Sequence, residues 1–66
     1  MEITINGVKE NVPENSSITD LMGRFQDKKA HIIVQHNGEF VYPEKHATTV
    51  VKEGDKIEFI NPDLGG

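Results

Sequence analysis

Two glycines, Gly65 and Gly66, close the chain and carry the one group set apart from an ordinary protein surface, the terminal carboxylate. A Gly-Gly tail has no Cβ and accepts φ of either sign, so it can thread a groove too narrow for other residues. At average glycine usage, chance alone would end about 0.5% of chains this way. The same pair would also suit a frayed end or a scar left by expression, so its meaning depends on the domain before it.

The other groups able to do chemistry form no such focus. His31 and His36 are five apart on an expected strand, which turns them to opposite faces and prevents joint chelation. His46 falls in a loop, and no cysteine is present to complete a zinc site, so no metal site is expected. Carboxylates such as Glu14, Asp20 and Glu53 sit at caps and turns, with no pair placed for acid–base work. Phosphate-cradling glycine loops, a Ser-His-acid order and H-E-x-x-H are all missing. A chain of 66 residues also leaves little room for a pocket of several hundred Å³. These features imply a protein that is not an autonomous enzyme.

With 7 basic and 11 acidic residues the net charge is −4. No Lys/Arg cluster and no Trp are present, which argues against nucleic-acid binding. The acidic excess suits a partner with a basic docking face, and equally suits the ordinary surface of a soluble domain. No apolar run is long enough to span a bilayer, and Met1 to Ile5 reads as a strand rather than a secretory leader. The expectation is a cytoplasmic protein of one domain, near the lower size limit for folding without staples.

The elements that must position the tail follow from periodicity. Ile3 and Ile5 alternate with Thr4 in a half-buried strand, and Asn6-Gly7 is a hairpin signal leading into a polar edge strand from Val8 to Val12. Ser17 and Asp20 have the spacing of a capping box. Ile18, Leu21, Met22 and Phe25 form one stripe of a helix over 18–27. Ile32-Ile33-Val34 opens a central strand to His36, Asn37-Gly38 is a second hairpin signal, and Phe40-Val41 returns. Residues 43–49 leave room for a 3₁₀ turn, Val50-Val51 is a short extended segment, and Lys56 to Asn61 is the last strand after the Glu53-Gly54-Asp55 turn.

The order β-β-α-β-β-β with one apolar helix face implies an α+β domain of two layers. Laid across a mixed sheet of four or five strands, the helix gives the β-grasp, or ubiquitin-like, arrangement. The first and last strands would be parallel neighbours at its centre, with Ile3, Ile5, Ile57 and Phe59 inward. The domain would span residues 1–61, with 62–66 a flexible tail. Ile60 would face outward, as would either Phe40 or Val41, and two or three such residues near the tail could form a docking patch.

The stretches MEITINGVKENVPENSSITDLM, QHNGEFV and HATTVVKEGDKIEFI, with the final Gly65-Gly66, resemble the ThiS-type sulfur carriers of the ThiS/MoaD group over essentially the whole chain. The resemblance implies that the Gly66 carboxylate is activated with ATP and magnesium by an E1-like adenylyltransferase and converted to a thiocarboxylate. Sulfur would come from a donor such as a cysteine desulfurase and pass to thiazole synthase in thiamine biosynthesis. It also implies that the carrier needs no cofactor of its own. Gly65, Leu64 and Ile60 would then contact these partners, and the five tail residues, if extended, would reach about 17 Å. Pro62 and Asp63 stand where many relatives have an apolar run, and His46 where a bulky aromatic is common. Carriers for molybdopterin, tungstopterin or another sulfur route, and ubiquitin-like modifiers joined to lysines through Gly66, share this outline, as does a plain interaction domain with an inert tail.

Overall fold

Local sequence sets the two tight turns on which the sheet is built. A two-residue hairpin that follows the right-handed strand twist needs positive φ at both central positions, which Asn-Gly accepts at least cost. The computed structural model, which describes residues 1–26 and 31–62, has both pairs in that conformation. Asn6 and Gly7 lie at φ 52° and 82°, Asn37 and Gly38 at 51° and 85°. The first turn joins β1 (Glu2–Ile5) to β2 (Val8–Asn11), the second β3 (Ile33–His36) to β4 (Glu39–Val41), each pair antiparallel.

The last strand, β5 (Lys56–Ile60), lies between these hairpins in the order β2-β1-β5-β3-β4. It runs parallel to β1, with Ile5 opposite Ile57, and antiparallel to β3, with Ile33 opposite Ile60 and Val34 opposite Phe59. The expected parallel pairing of first and last strands is therefore present, and the sheet has five strands.

One helix, α1 (Ile18–Phe25), supplies the second layer. Ser17 caps it by accepting from the Asp20 amide at 3.0 Å, and the Asp20 carboxylate accepts from the Ser17 amide at 2.9 Å. The shorter acid thus reaches as Glu would in the usual box. These bonds also hold the Asp20 carboxyl below its ordinary range. Ile18 and Leu21 are fully buried, and Met22 and Phe25 pack on the core beside them. That core joins the inward residues of the sheet (Ile3, Ile5, Val34, Val41, Ile57, Phe59) to Val12 and Val51.

Boundaries differ from the sequence reading by a residue or two. The helix ends at Phe25 with Gln26 as its cap. Residues 27–30, including the expected last helical residue, lie outside the described part. Strand β3 starts at Ile33, so His31 precedes it instead of sharing a strand with His36. Val50-Val51 makes no full strand. Val50 forms a single bridge to Ser17, and Val51 is buried in the core. The turn after Tyr42 is 3₁₀ over Pro43–Lys45, as the spacing allowed.

Candidate functional site

Alternation along the strands divides their residues between the helix side and the open side of the sheet. On β5, Ile57 and Phe59 are buried, while Lys56, Glu58 and Ile60 are exposed on the open face. Ile60 is 40% exposed and lies opposite Ile33, itself 37% exposed. On β4, Phe40 faces out and Val41 faces in, which settles the choice left open by periodicity. Phe40 lies opposite Gln35, so it shares the face of Ile33 and Ile60. Tyr42 joins it through an edge-to-face contact with Phe40, the ring centroids 4.8 Å apart. Edge-to-face packing of this kind joins the two rings into one apolar surface.

The open face therefore carries Ile33, Phe40, Tyr42 and Ile60 around the end of β5, with Gln35 and Glu58 as polar neighbours in register. Scattered exposed apolar residues are normal, but grouped ones mark contact surfaces. Ile33 and Tyr42 were missed in the sequence reading. Ile33 was hidden in the run Ile32-Ile33-Val34, where uniform hydrophobicity masks the alternation. Tyr42 was taken only as the end of a strand before Pro43, although its spacing of two from Phe40 places it on the same face.

A second group lies at the opposite end of β5. Asp55 closes the turn before the strand by accepting from the Lys52 amide at 2.8 Å, and it also accepts from His36 Nε2 at 2.7 Å and Asn37 Nδ2 at 3.2 Å. Burial pushes its carboxyl up, but the His36, Lys52 and Asn37 hydrogen bonds and the nearby His36 charge outweigh it and hold the carboxyl below the usual range. These residues tie β3 to the start of β5 and are structural. His46 donates from Nε2 to the Val41 carbonyl at 3.1 Å, tying the end of the 3₁₀ turn to β4.

Among the described residues no group of three His, Cys, Asp or Glu side chains is placed to hold a metal ion. A hollow beside β4, bordered by Phe40, Tyr42, Lys45 and Thr49, encloses about 220 Å³, below the roughly 300–1,000 Å³ usual for small-molecule sites. No helix among the described residues is long and apolar enough to cross a membrane. Leu64, Gly65 and Gly66 lie outside the described residues.

The element order, the mixed sheet and the single packed helix define a β-grasp, ubiquitin-like domain. A model of the ThiS family matches residues 1–66, and the chain belongs to that family. The crystal structure of a thiamine biosynthesis protein (ThiS) from Geobacter metallireducens is similar at 33% identity, covering 100% of both chains with a TM-score of 0.85. The solution structure of a thiamine biosynthesis protein from the same organism is similar at 32% identity and a TM-score of 0.80, covering 100% of this chain and 87% of the other. A sequence search of curated proteins gives no significant match.

Proposed function

We propose that this chain is a sulfur carrier of thiamine biosynthesis, a protein substrate that other enzymes act on. The observation that carries the reading is the apolar group Ile33, Phe40, Tyr42 and Ile60 at the end of β5, the strand leading toward Gly65-Gly66, in a chain of the ThiS family. Residues 1–61 form the body that docks, and 62–66 the tail that enters a partner's active site. Ile60, Leu64 and Gly65 contact the partner, and Gly66 alone reacts.

An α-carboxylate, with an ordinary pKa near about 3.5, is an anion at neutral pH and a poor electrophile. An E1-like adenylyltransferase, holding ATP and magnesium, removes that obstacle. A Gly66 carboxylate oxygen attacks the α-phosphorus of ATP, pyrophosphate leaves, and an acyl adenylate forms. A persulfide supplied through a cysteine desulfurase or a related donor displaces AMP to give an acyl disulfide. A second thiol of the donor then attacks its S–S bond to release the thiocarboxylate and form a disulfide, and the thiocarboxylate gives its sulfur to thiazole synthase. The carrier contributes recognition and reach, so it needs no cofactor of its own. Activation by ATP fits a cytoplasmic setting.

Intact-mass analysis of the chain purified from its own cells tests this reading. The expected product has one oxygen replaced by sulfur at Gly66, and deletion of Gly65-Gly66 removes both this product and activity while leaving the fold intact. Conjugates of high mass would assign the chain to the ubiquitin-like modifiers instead. A sulfur-modified chain whose loss leaves thiamine synthesis untouched would move it to another sulfur route. A chain that stays unmodified and inert with an E1-like enzyme and ATP would refute the proposal.

A further inference from the structure

Backbone direction in a strand alternates, so each residue's N–H and C=O point to one neighbour only. On β5 the Ile57 carbonyl accepts from the Asn6 amide, which turns Ile57 and, two residues on, Phe59 toward β1. But β1 ends at Ile5, and the chain swings away through Asn6-Gly7 into β2. The parallel ladder therefore stops one step short of the end of β5. The Asn6 side chain fills that step. Its Oδ1 accepts from the Phe59 amide at 2.8 Å, and its Nδ2 donates to the Phe59 carbonyl at 3.3 Å. One primary amide thus reproduces the donor–acceptor pair of a strand residue.

The other Asn-Gly turn provides a matched comparison. Asn37 follows β3 as Asn6 follows β1, and its Oδ1 accepts from the Lys56 amide at 2.8 Å while its own amide donates to the Lys56 carbonyl. Because β3 is antiparallel, this clamp grips the start of β5, whereas Asn6 grips the end next to Ile60. Two residues of the same type, in the same kind of turn, hold opposite ends of one strand.

We propose that Asn6 is a positioning residue for the carboxyl-terminal tail: its side-chain amide continues the sheet against Phe59 and so fixes the base from which Gly66 is presented. The proposal rests on the reading of the tail as the working end. A loose base must be ordered whenever the tail enters a partner, and that ordering weakens binding of ground and transition states alike. The loss therefore falls on KM and leaves kcat.

The test compares Asn6→Gly with Asn37→Gly in the full chain. Glycine keeps the positive-φ turn in both and removes only the side-chain bonds. Asn6→Asp, which keeps the acceptor for the Phe59 amide and loses the donor, provides a second variant that retains a side chain. Amide hydrogen exchange is read by NMR, and adenylation by pyrophosphate exchange with an E1-like enzyme at varied carrier concentration. In Asn6→Gly the Phe59 amide exchanges about tenfold faster, and KM for the carrier rises about fivefold with kcat within about twofold. In Asn37→Gly exchange quickens at Lys56, Phe59 keeps its protection, and KM is unchanged. Asn6→Asp falls between wild type and Asn6→Gly. Unchanged Phe59 exchange in Asn6→Gly, or an equal rise in KM from the two glycine variants, overturns the proposal. A wild-type chain that is never adenylated refutes the carrier reading instead, and the Phe59 amide then decides alone for or against Asn6.

Discussion

Replacing Ile60 with alanine separates docking from folding, because the side chain is divided between the two. Full burial of an isoleucine side chain is worth about 1.5–3 kcal/mol. Ile60 is 40% exposed. About two fifths of that free energy, roughly 0.6–1.2 kcal/mol, is left for a partner that covers it completely. The remaining three fifths, roughly 0.9–1.8 kcal/mol, already contributes to the fold. Ile60→Ala is therefore expected to raise KM for adenylation about three- to eightfold, while urea unfolding reports a loss of about 1–2 kcal/mol.

Val8→Ala is the control. Val8 is 59% exposed, but it sits on the edge strand β2, away from the β3–β5 pairing that carries Ile33 and Ile60. It should leave KM within about twofold of wild type. The assay is pyrophosphate exchange with an E1-like adenylyltransferase at saturating ATP, under conditions where both variants are folded by circular dichroism. Equal KM values for Ile60→Ala and wild type would refute docking through the open face at the end of β5. An equal rise from Val8→Ala would show that the effect comes from general loosening of the domain.

Three further predictions concern the body. Asp55→Asn should cost about 1–3 kcal/mol at pH 7 in urea unfolding, because several donors lose a charged acceptor. The Asp55 carboxyl is depressed in the folded state, so its contribution is complete above its unfolded value of about 3.9 and is lost as pH falls through the lower folded value. The acid-induced fall in stability should therefore shrink in Asp55→Asn, with a remainder due to Asp20, whose carboxyl is likewise held below its ordinary range. Ser17→Ala should lower stability by about 1 kcal/mol through loss of the cap. Leu21→Ala, at a fully buried site, should cost about 2–5 kcal/mol against a total of about 3–10 kcal/mol for a domain of this size, and so leave a measurable unfolded fraction in the same experiment.

Features legible in the sequence were those whose signal is local. Both Asn-Gly turns, the Ser17–Asp20 box and the helix stripe depend on residues within a few positions of one another, and all are present. The outward Ile60 followed from simple alternation with Phe59. What escaped was side-chain bonding between distant segments. The Asn6 amide meets Phe59 across 53 positions, and Asp55 meets His36 across 19. Each residue had a sufficient local role as a turn former, so nothing in its neighbourhood announced a second one. Ile33 was obscured for a different reason. A strand with exposed apolar residues on one side and the core on the other loses the polar alternation that identifies its faces.

The placement of β5 suits the proposed role of this small domain as a handle for its own end. It is the middle strand of five, bonded to β1 on one side and β3 on the other. A tail leaving an edge strand would be held along one side only, and any pull on it could peel that strand away. A middle strand lies between two neighbours, and detaching β5 as a whole requires breaking both ladders. The same placement puts exposed apolar residues beside the exit on one side: Ile33 lies on β3 next to Ile60, and Phe40 on β4 and Tyr42 just after it extend the apolar face. A partner that receives the tail can therefore grip the open face on the β3–β4 side at once. The cost falls on the β1 side, where the hairpin turns away before β5 ends. Asn6 makes up that deficit with a side chain, which is why presentation of Gly66 should be most sensitive there.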